Sequence, residues 1–378
     1  MKVAMFSRFP QDRSAPRGGV EAVTLALVRA ISRLDDLDLH VVTLERGRRQ
    51  VEVARQDGAT IHRLPGSRWP QMFDILAGPG RRRLKQYLRQ LAPDVVHFHE
   101  TYGLGIGELP MPCVFTIHGF DHANVRAEKG YLAWLRAPLW RRIQEWGLSR
   151  QRHIISITPY VKEYIRPLTQ ATIYDIDNPV DPACFAVEHR EVPGRVFSAG
   201  WVTHRKNTLG LVMAFARVVR SGVDASLHVA GEQREPAYAE KVKETIGELG
   251  LTDHIVLLGR IGPDAIRKEL GEASVFALPS RQENAPMAIA EAMAVGVPVI
   301  SSNRCGMPYM VQEGETGFLV DPEDCGTLAA RIRQMLTDKP LRAKMAGAAR
   351  RVAESRFHSD SVARKTVEVY REIVSRSA

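Results

Sequence analysis

Ala277 to Ile300 reads ALPSRQENAPMAIAEAMAVGVPVI, and where its helix can begin decides the fold. The apolar run ending at Ser280 reads as a buried strand, and Val297 to Ile300 as another. Between them lie a short polar loop, Arg281-Gln282-Glu283-Asn284, and a helix-like segment. Glu283 and Glu291 are eight residues apart, with Pro286 between them. Proline removes a backbone donor and clashes inside a helix, but it is favoured in the first turn. Glu283 therefore belongs to the loop, and Glu291 lies about one turn into a helix that starts near Pro286. Both carboxylates then fall near the C-terminal edge of a parallel sheet, where open α/β folds bind ligands. The free N–H groups of that helix start suit an anion such as a diphosphate.

Working outward, the same alternation of strand and helix fills the chain. In the first half, strands are expected at Lys2–Phe6, Leu39–Leu44, Thr60–Leu64, Asp94–Phe98, Val114–Ile117, Ile154–Thr158 and Tyr174–Ile176. Gly18-Gly19 opens a helix after the first strand, where backbone can approach a phosphate closely. No Walker A loop or GxGxxG fingerprint is present. His118-Gly119-Phe120-Asp121 follows a buried strand directly, a place where α/β enzymes put chemistry. His97 and His99 alternate along a strand and are expected on opposite faces, which argues against a shared metal. Residues Tyr131–Leu148 interleave Trp134, Trp140 and Trp146 with Arg136, Arg141 and Arg142. Tryptophan beside arginine on one helix suits a membrane interface, but Pro138 interrupts the pattern and core-facing aromatics are the plainer expectation.

The second half restarts the pattern. Strands are expected at Arg195–Ala199, Ser226–Gly231, His254–Leu258, Val275–Leu278 and Thr316–Val320, with helices between them and a terminal helix at Ser359–Ser375. Strands alternating with helices twice over imply two doubly wound, Rossmann-like domains facing a central cleft. The expected boundaries are residues 1–180 for the N-terminal domain and 190–356 for the C-terminal domain. A linker at 181–194 joins them, and the helix of about 359–378 packs back on the first domain.

Composition narrows the function. At 378 residues the chain is long enough for two cores. Its four cysteines, Cys113, Cys184, Cys305 and Cys325, have no metal-type spacing and read as reduced thiols of a cytoplasmic protein. Neither a secretory leader nor a bilayer-spanning run is expected. The excess of base is uneven: residues 1–180 carry 26 basic against 18 acidic side chains, and residues 181–378 carry 26 against 25. That points the first half toward something anionic, such as a lipid headgroup, although 41 Arg against 11 Lys would also follow from an arginine-rich proteome. No nucleic-acid-binding module is recognisable.

In the second half, Arg205-Lys206 follows one strand and the two glutamates follow another. Cations beside a helix N-terminus suit a diphosphate, and a carboxylate accepting two hydroxyls suits a ribose. The chain resembles the retaining glycosyltransferases of family 4, which have the GT-B fold, over essentially its whole length. The resemblance rests on Glu283-(x7)-Glu291 with Ala292-Met293-Ala294 and Gly296-Val297-Pro298-Val299-Ile300, on Pro279-Ser280, and on Gly314-x-x-Gly317-Phe318-Leu319-Val320. Gly18-Gly19 and His118-Gly119-x-Asp121 match more loosely.

The resemblance implies a metal-independent, retaining transfer from a UDP- or GDP-linked sugar to a glycan, lipid-linked or small-molecule acceptor, with no cofactor. The N-terminal domain would bind the acceptor and the C-terminal domain the donor, with Glu291 on the donor ribose and Glu283 on the donor sugar. Backbone at Asn284, Ala285 and Met287 would meet the sugar and phosphates, and Lys206 the departing diphosphate. Gly18 and Gly19 would approach the distal phosphate, His118 would bind the transferring sugar, and the base would lie near Gly259 and Arg260. The basic first half adds an anionic membrane surface as a candidate partner, with the enzyme peripheral on the inner face of the plasma membrane. The chain departs from the family's G-R-x4-K-G at Trp201 and Asn207, and Arg205 is a candidate replacement for the missing arginine. A sugar-nucleotide epimerase or hydrolase of the same fold, or a non-catalytic subunit, are the alternatives.

Overall fold

A computed structural model describes residues 1–377 except 14–15, 70–73, 75, 100–105, 108 and 129–131. In chain order the first part holds β1 (Lys2–Phe6), α1 (Gly19–Ile31), β2 (Asp38–Glu45), β3 (Glu52–Gln56), β4 (Ala59–Pro65), α2 (Pro79–Leu91) and β5 (Val95–His99). It continues with β6 (Cys113–Ile117), α3 (Asp121–Glu128), α4 (Ala133–Leu148), β7 (His153–Ser156), α5 (Pro159–Ile165) and β8 (Thr172–Asp175). Next come α6 (Pro182–Phe185), β9 (Arg195–Ala199), α7 (Thr208–Arg220), β10 (Ser226–Ala230), α8 (Pro236–Glu248), β11 (Ile255–Gly259) and α9 (Pro263–Glu272). The chain closes with β12 (Val275–Leu278), α10 (Met287–Val295), β13 (Val299–Ser302), β14 (Gly317–Val320), α11 (Cys325–Thr337), α12 (Lys339–Arg356) and α13 (Ser359–Ser375). Among the described residues no helix is long and apolar enough to cross a membrane.

Two compact units result. Unit 1 comprises Met1–Asp121, Pro138–Pro179 and Ser359–Ala378, and unit 2 comprises His122–Ala137 and Val180–His358. The segment expected as a linker, residues 181–194, is built into unit 2 instead. Asp181 caps α6 by accepting from the Ala183 N–H, Cys184 is buried, and the Val180 N–H donates to Phe357 O at 2.8 Å. Its prolines therefore shape a packed connection rather than a free one.

The sheet of unit 1 runs β3-β4-β2-β1-β5-β6-β7-β8. All its pairings are parallel except β3 with β4. Strand β3, EVARQ, escapes sequence reading because it is a largely exposed edge with no apolar run. Each central strand is covered on both faces, which is why β5 is buried at all five positions. Helix α13 supplies part of that cover. Its Val362, Ala363, Thr366, Val367, Tyr370 and Ile373 recur at helical spacing and are buried, the apolar ones in a cluster with Val3, Met5 and Leu27.

His97 and His99 correct an expectation. Side chains two apart on a strand share a face, and the two rings lie 4.1 Å apart, centroid to centroid. His97 bonds the Tyr370 hydroxyl through Nδ1 and the Thr116 hydroxyl through Nε2, each at 2.6 Å. Nδ1 of His99 lies 2.9 Å from Nε2 of His118. Burial holds these imidazoles neutral: His97 falls from the ordinary 6.5 to about 3 and His118 to about 4, while His99 lies well below its usual value.

Helix α4 corrects another. It runs unbroken through Pro138, and Trp134 and Trp146 are exposed rather than facing a core. Tyr131, the expected start of this helix, lies outside the described residues.

Unfolded histidines take up protons near pH 6.5, whereas the folded ones refuse them until about pH 4. Their contribution to stability is therefore complete above pH 6.5 and lost as the pH falls toward 4. Amide exchange corrected for intrinsic rate should show β1, β5 and β6 losing protection between about pH 7 and pH 5. Equal protection of these strands across that range would contradict the assignment.

Candidate functional site

The sheet of unit 2 runs β11-β10-β9-β12-β13-β14, all parallel. The chain leaves β9 toward one edge through β10 and β11, then returns beside β9 with β12 and proceeds to the other edge. The strand order thus reverses between β9 and β12, the switch point at which doubly wound sheets take their ligands. The loops that leave the C-terminal ends of these two strands are residues 200–207 and 279–286, which carry the predicted cations and the first glutamate.

Glu283 lies between both cations. Its Oε1 accepts from Arg205 Nη1 at 2.5 Å and from Lys206 Nζ at 2.7 Å, and all three side chains are largely buried. Burial alone would push the Glu283 carboxyl up, but Arg205 and Lys206 outweigh it and hold the group below the usual range. Burial lowers the Lys206 ammonium from its ordinary value, with Glu283 opposing that shift and Arg205 adding to it. Two cations against one carboxylate leave a local excess of positive charge.

The backbone that permits this is specific. Gly200 has φ +156°, and a Cβ there would sit 2.9 Å from Lys206 Cε, so a side chain at 200 would displace the lysine stem. Gly306 is equally constrained: its N–H donates to Glu283 O at 2.9 Å, and an added Cβ would fall 1.6 Å from Asn284 O. Arg281 ties the two loops further, with its N–H on Arg205 O at 2.8 Å and Nη1 on His204 O at 2.6 Å.

Helix α10 begins at Met287 after Pro286, with no side-chain cap, so its first N–H groups are not taken by a neighbouring oxygen side chain. It ends at Gly296, whose φ of +89° makes the left-handed cap. Ile289, Ala290, Ala292 and Met293 are buried, which fixes the helix rigidly. Glu291 sits just past the first turn, as the spacing implied. Among the described residues its carboxylate makes no ion pair or hydrogen bond, and Arg267 acts on it only from beyond ion-pair distance. Burial raises it to about 7, with Arg267 opposing the shift and Asp181 adding to it. Asn284 is buried, and Ala285 and Met287 are partly buried at the helix start.

Gly259 ends β11 with φ +64°, and Arg260 beyond it is exposed. Two neighbours of the site escaped sequence reading. Arg234 stacks over the Trp201 ring with its guanidinium carbon 3.8 Å from the centroid, a contact made across 33 residues of chain. Gln282 keeps Nε2 buried with no hydrogen-bond partner, a group left for a ligand or water to satisfy. Arg205, the candidate replacement for the arginine absent at Trp201, is placed on Glu283 and the Gln282 carbonyl.

The remaining predicted residues lie in unit 1. Gly18 is the N-cap of α1, with φ +143°, and Gly19 is its first residue. His118 follows β6 directly, and a hydrogen bond with Asn178 opposes the effect of burial on its imidazole. Among the described residues no group of three His, Cys, Asp or Glu side chains is placed to hold a metal ion.

Residues 17–183 match the model of "Glycosyltransferase Family 4", and residues 185–352 that of "Glycosyl transferases group 1". A glycogen synthase of Mycobacterium tuberculosis is 27% identical over 302 residues, covering 75% of this chain and 69% of the relative. The sucrose-phosphate synthase of Thermosynechococcus elongatus superposes with a TM-score of 0.82 at 19% identity, covering 99% of both chains. Anabaena HepE, solved with UDP and glucose, superposes with a TM-score of 0.73 at 18% identity, covering 98% of this chain and 99% of that one. The fold is GT-B, and the chain belongs to the family 4 glycosyltransferases.

Proposed function

We propose that the protein moves a sugar from a nucleotide diphosphate sugar to a glycan or lipid-linked acceptor, with retention of anomeric configuration and without a divalent metal. The observation that carries this reading is the pair of Glu291, a partly buried carboxylate one helical turn beyond an uncapped helix start, and the Arg205–Lys206–Glu283 cluster with its surplus positive charge at the switch point of the same sheet. Two hydroxyls on one sugar ring would satisfy Glu291. The charge of a diphosphate would be met by Lys206 and the α10 N-terminus. That charge grows as the leaving group departs, so fixed cations stabilise the transition state more than the ground state.

Glu283 then serves the donor sugar, positioned by Arg205. Backbone at Asn284, Ala285 and Met287 serves the sugar and phosphates, and Gly259 with Arg260 the base. In unit 1, Gly18 and Gly19 for the distal phosphate and His118 for the transferring sugar are assigned on the family resemblance. The lowered His118 imidazole is neutral at physiological pH and so acts as a hydrogen-bonding group, not a cation. The donor is UDP- or GDP-linked, and the HepE neighbour solved with UDP makes UDP the first to test. We place the enzyme in the cytoplasm, peripheral to the inner face of the plasma membrane.

Lys206→Ala should lower transfer by about 100-fold or more, the scale of losing one preorganised charge, with the melting temperature nearly kept. Turnover near wild type would remove Lys206 from the site. Transfer should also persist in excess EDTA, and a requirement for Mg²⁺ or Mn²⁺ would overturn the metal-free part.

Glu291 makes a pH prediction. If only its carboxylate binds the ribose, donor affinity should rise by about tenfold between about pH 6 and pH 8, because the free group titrates at about 7. Calorimetry should show proton release in that range and a flat profile for Glu291→Gln. A pH-independent wild type would place the nucleotide elsewhere.

A further inference from the structure

We infer that the outer face of α4 is a docking surface for an anionic lipid bilayer. The inference rests on the peripheral location proposed above but uses none of the donor-site residues. Helix α4 buries one side only: Gln144, Gly147 and Leu148 are buried. Its opposite side carries Leu135, Leu139, Arg142 and Trp146 at i, i+4, i+7 and i+11, a single stripe of ~16 Å. Leu135 and Leu139 are each 53% exposed and Trp146 41%, while Trp134, on the flank of the stripe, is 76% exposed. Soluble surfaces seldom gather so many large apolar side chains on one element without a partner.

The cations decide which partner. Arg142 lies within the stripe, Arg136 and Arg141 flank it, and Arg150 stacks over the Trp146 ring at 4.4 Å. From 132 to 150 the only acidic side chain is Glu145, and Arg141 engages it at 2.8 Å. An apolar protein face laid over this helix would bury arginines with no carboxylate to meet them, at several kcal/mol per ion. A second copy would bring like charges together. A lipid interface imposes no such cost: leucine and tryptophan rings enter the acyl boundary while arginine side chains reach back to the phosphates. Anionic headgroups add to that attraction for each arginine near the surface.

The test is sedimentation with vesicles of phosphatidylcholine alone and with about one third phosphatidylglycerol, using the full chain. We expect at least tenfold tighter binding to the anionic vesicles at low salt. Leu135→Ser with Leu139→Ser, and separately Arg136→Glu with Arg142→Glu, should each weaken it at least tenfold. Melting temperature and UDP or GDP binding should be unchanged in both. Brominated lipid should quench the wild type more than Trp134→Leu. Equal binding to both vesicle types, no binding to either, or double variants that bind as wild type would overturn the surface. So would a lipid-free dimer that the leucine substitutions dissolve, because the face would then be a contact between copies. Vesicle binding without nucleotide binding would leave the surface standing and overturn the proposed transfer. The reverse result would do the opposite.

Discussion

Glu283 sandwiched between Arg205 and Lys206 is the contact on which the architecture of unit 2 turns. The three side chains come from loops that leave neighbouring strands on the two sides of the reversal in strand order. Parallel strands splay their outgoing loops apart at such a point, so something must hold the crevice in shape. Removing Glu283 would leave two buried cations uncompensated, which typically costs about 3–5 kcal/mol, whereas loss of Lys206 alone leaves Glu283 paired with Arg205. The cluster therefore commits the two loops to one geometry. It also fixes the local charge: one carboxylate cannot neutralise two cations, and a positive surplus remains.

Much of this was legible in the sequence because it depends on short-range chemistry. Proline is favoured at a helix start, so Pro286 placed Glu283 in the loop and Glu291 on the helix from spacing alone. Alternating apolar runs located both parallel sheets, since a strand buried on two faces has little choice of residue. Features that depend on distant partners stayed hidden. The stacking of Arg234 on Trp201 leaves no trace in local spacing. The segment 181–194 looks like a linker by its prolines, yet the burial of Cys184 and the Val180 contact with Phe357 tie it into unit 2. Exposure of one face of a helix is also a tertiary fact. A proline in α4 lowers the sequence case for the helix without saying which side meets water.

Unit 1 shows a different economy. His97, His99 and His118 line up on β5 and the turn after β6, and α13 contributes the hydroxyl of Tyr370 from the far end of the chain. Buried imidazoles are costly unless they stay neutral and bonded. The outermost ring, His118, is thereby held by His99 on one side and Asn178 on the other. A neutral histidine fixed at two nitrogens can take only one tautomeric arrangement at a time. Its orientation is inherited from the core and not from whatever it touches.

Glu283 and Glu291 finally show why residue type alone does not assign a role. They share one motif, eight positions apart, and both are shielded from water. One is driven down by two cations and is a permanent anion; the other, with no cation in hydrogen-bonding reach, is driven up to about 7 by the same shielding. When environments push two carboxyls apart in this way, the natural reading is an acid and a base. Here the raised group lies on a helix whose buried face keeps it fixed, away from the cation cluster that would accompany charge movement. A carboxyl that is partly neutral costs less to keep from water than a full charge does. Its raised value is thus a consequence of burial without a bonded partner and does not by itself make Glu291 a general acid.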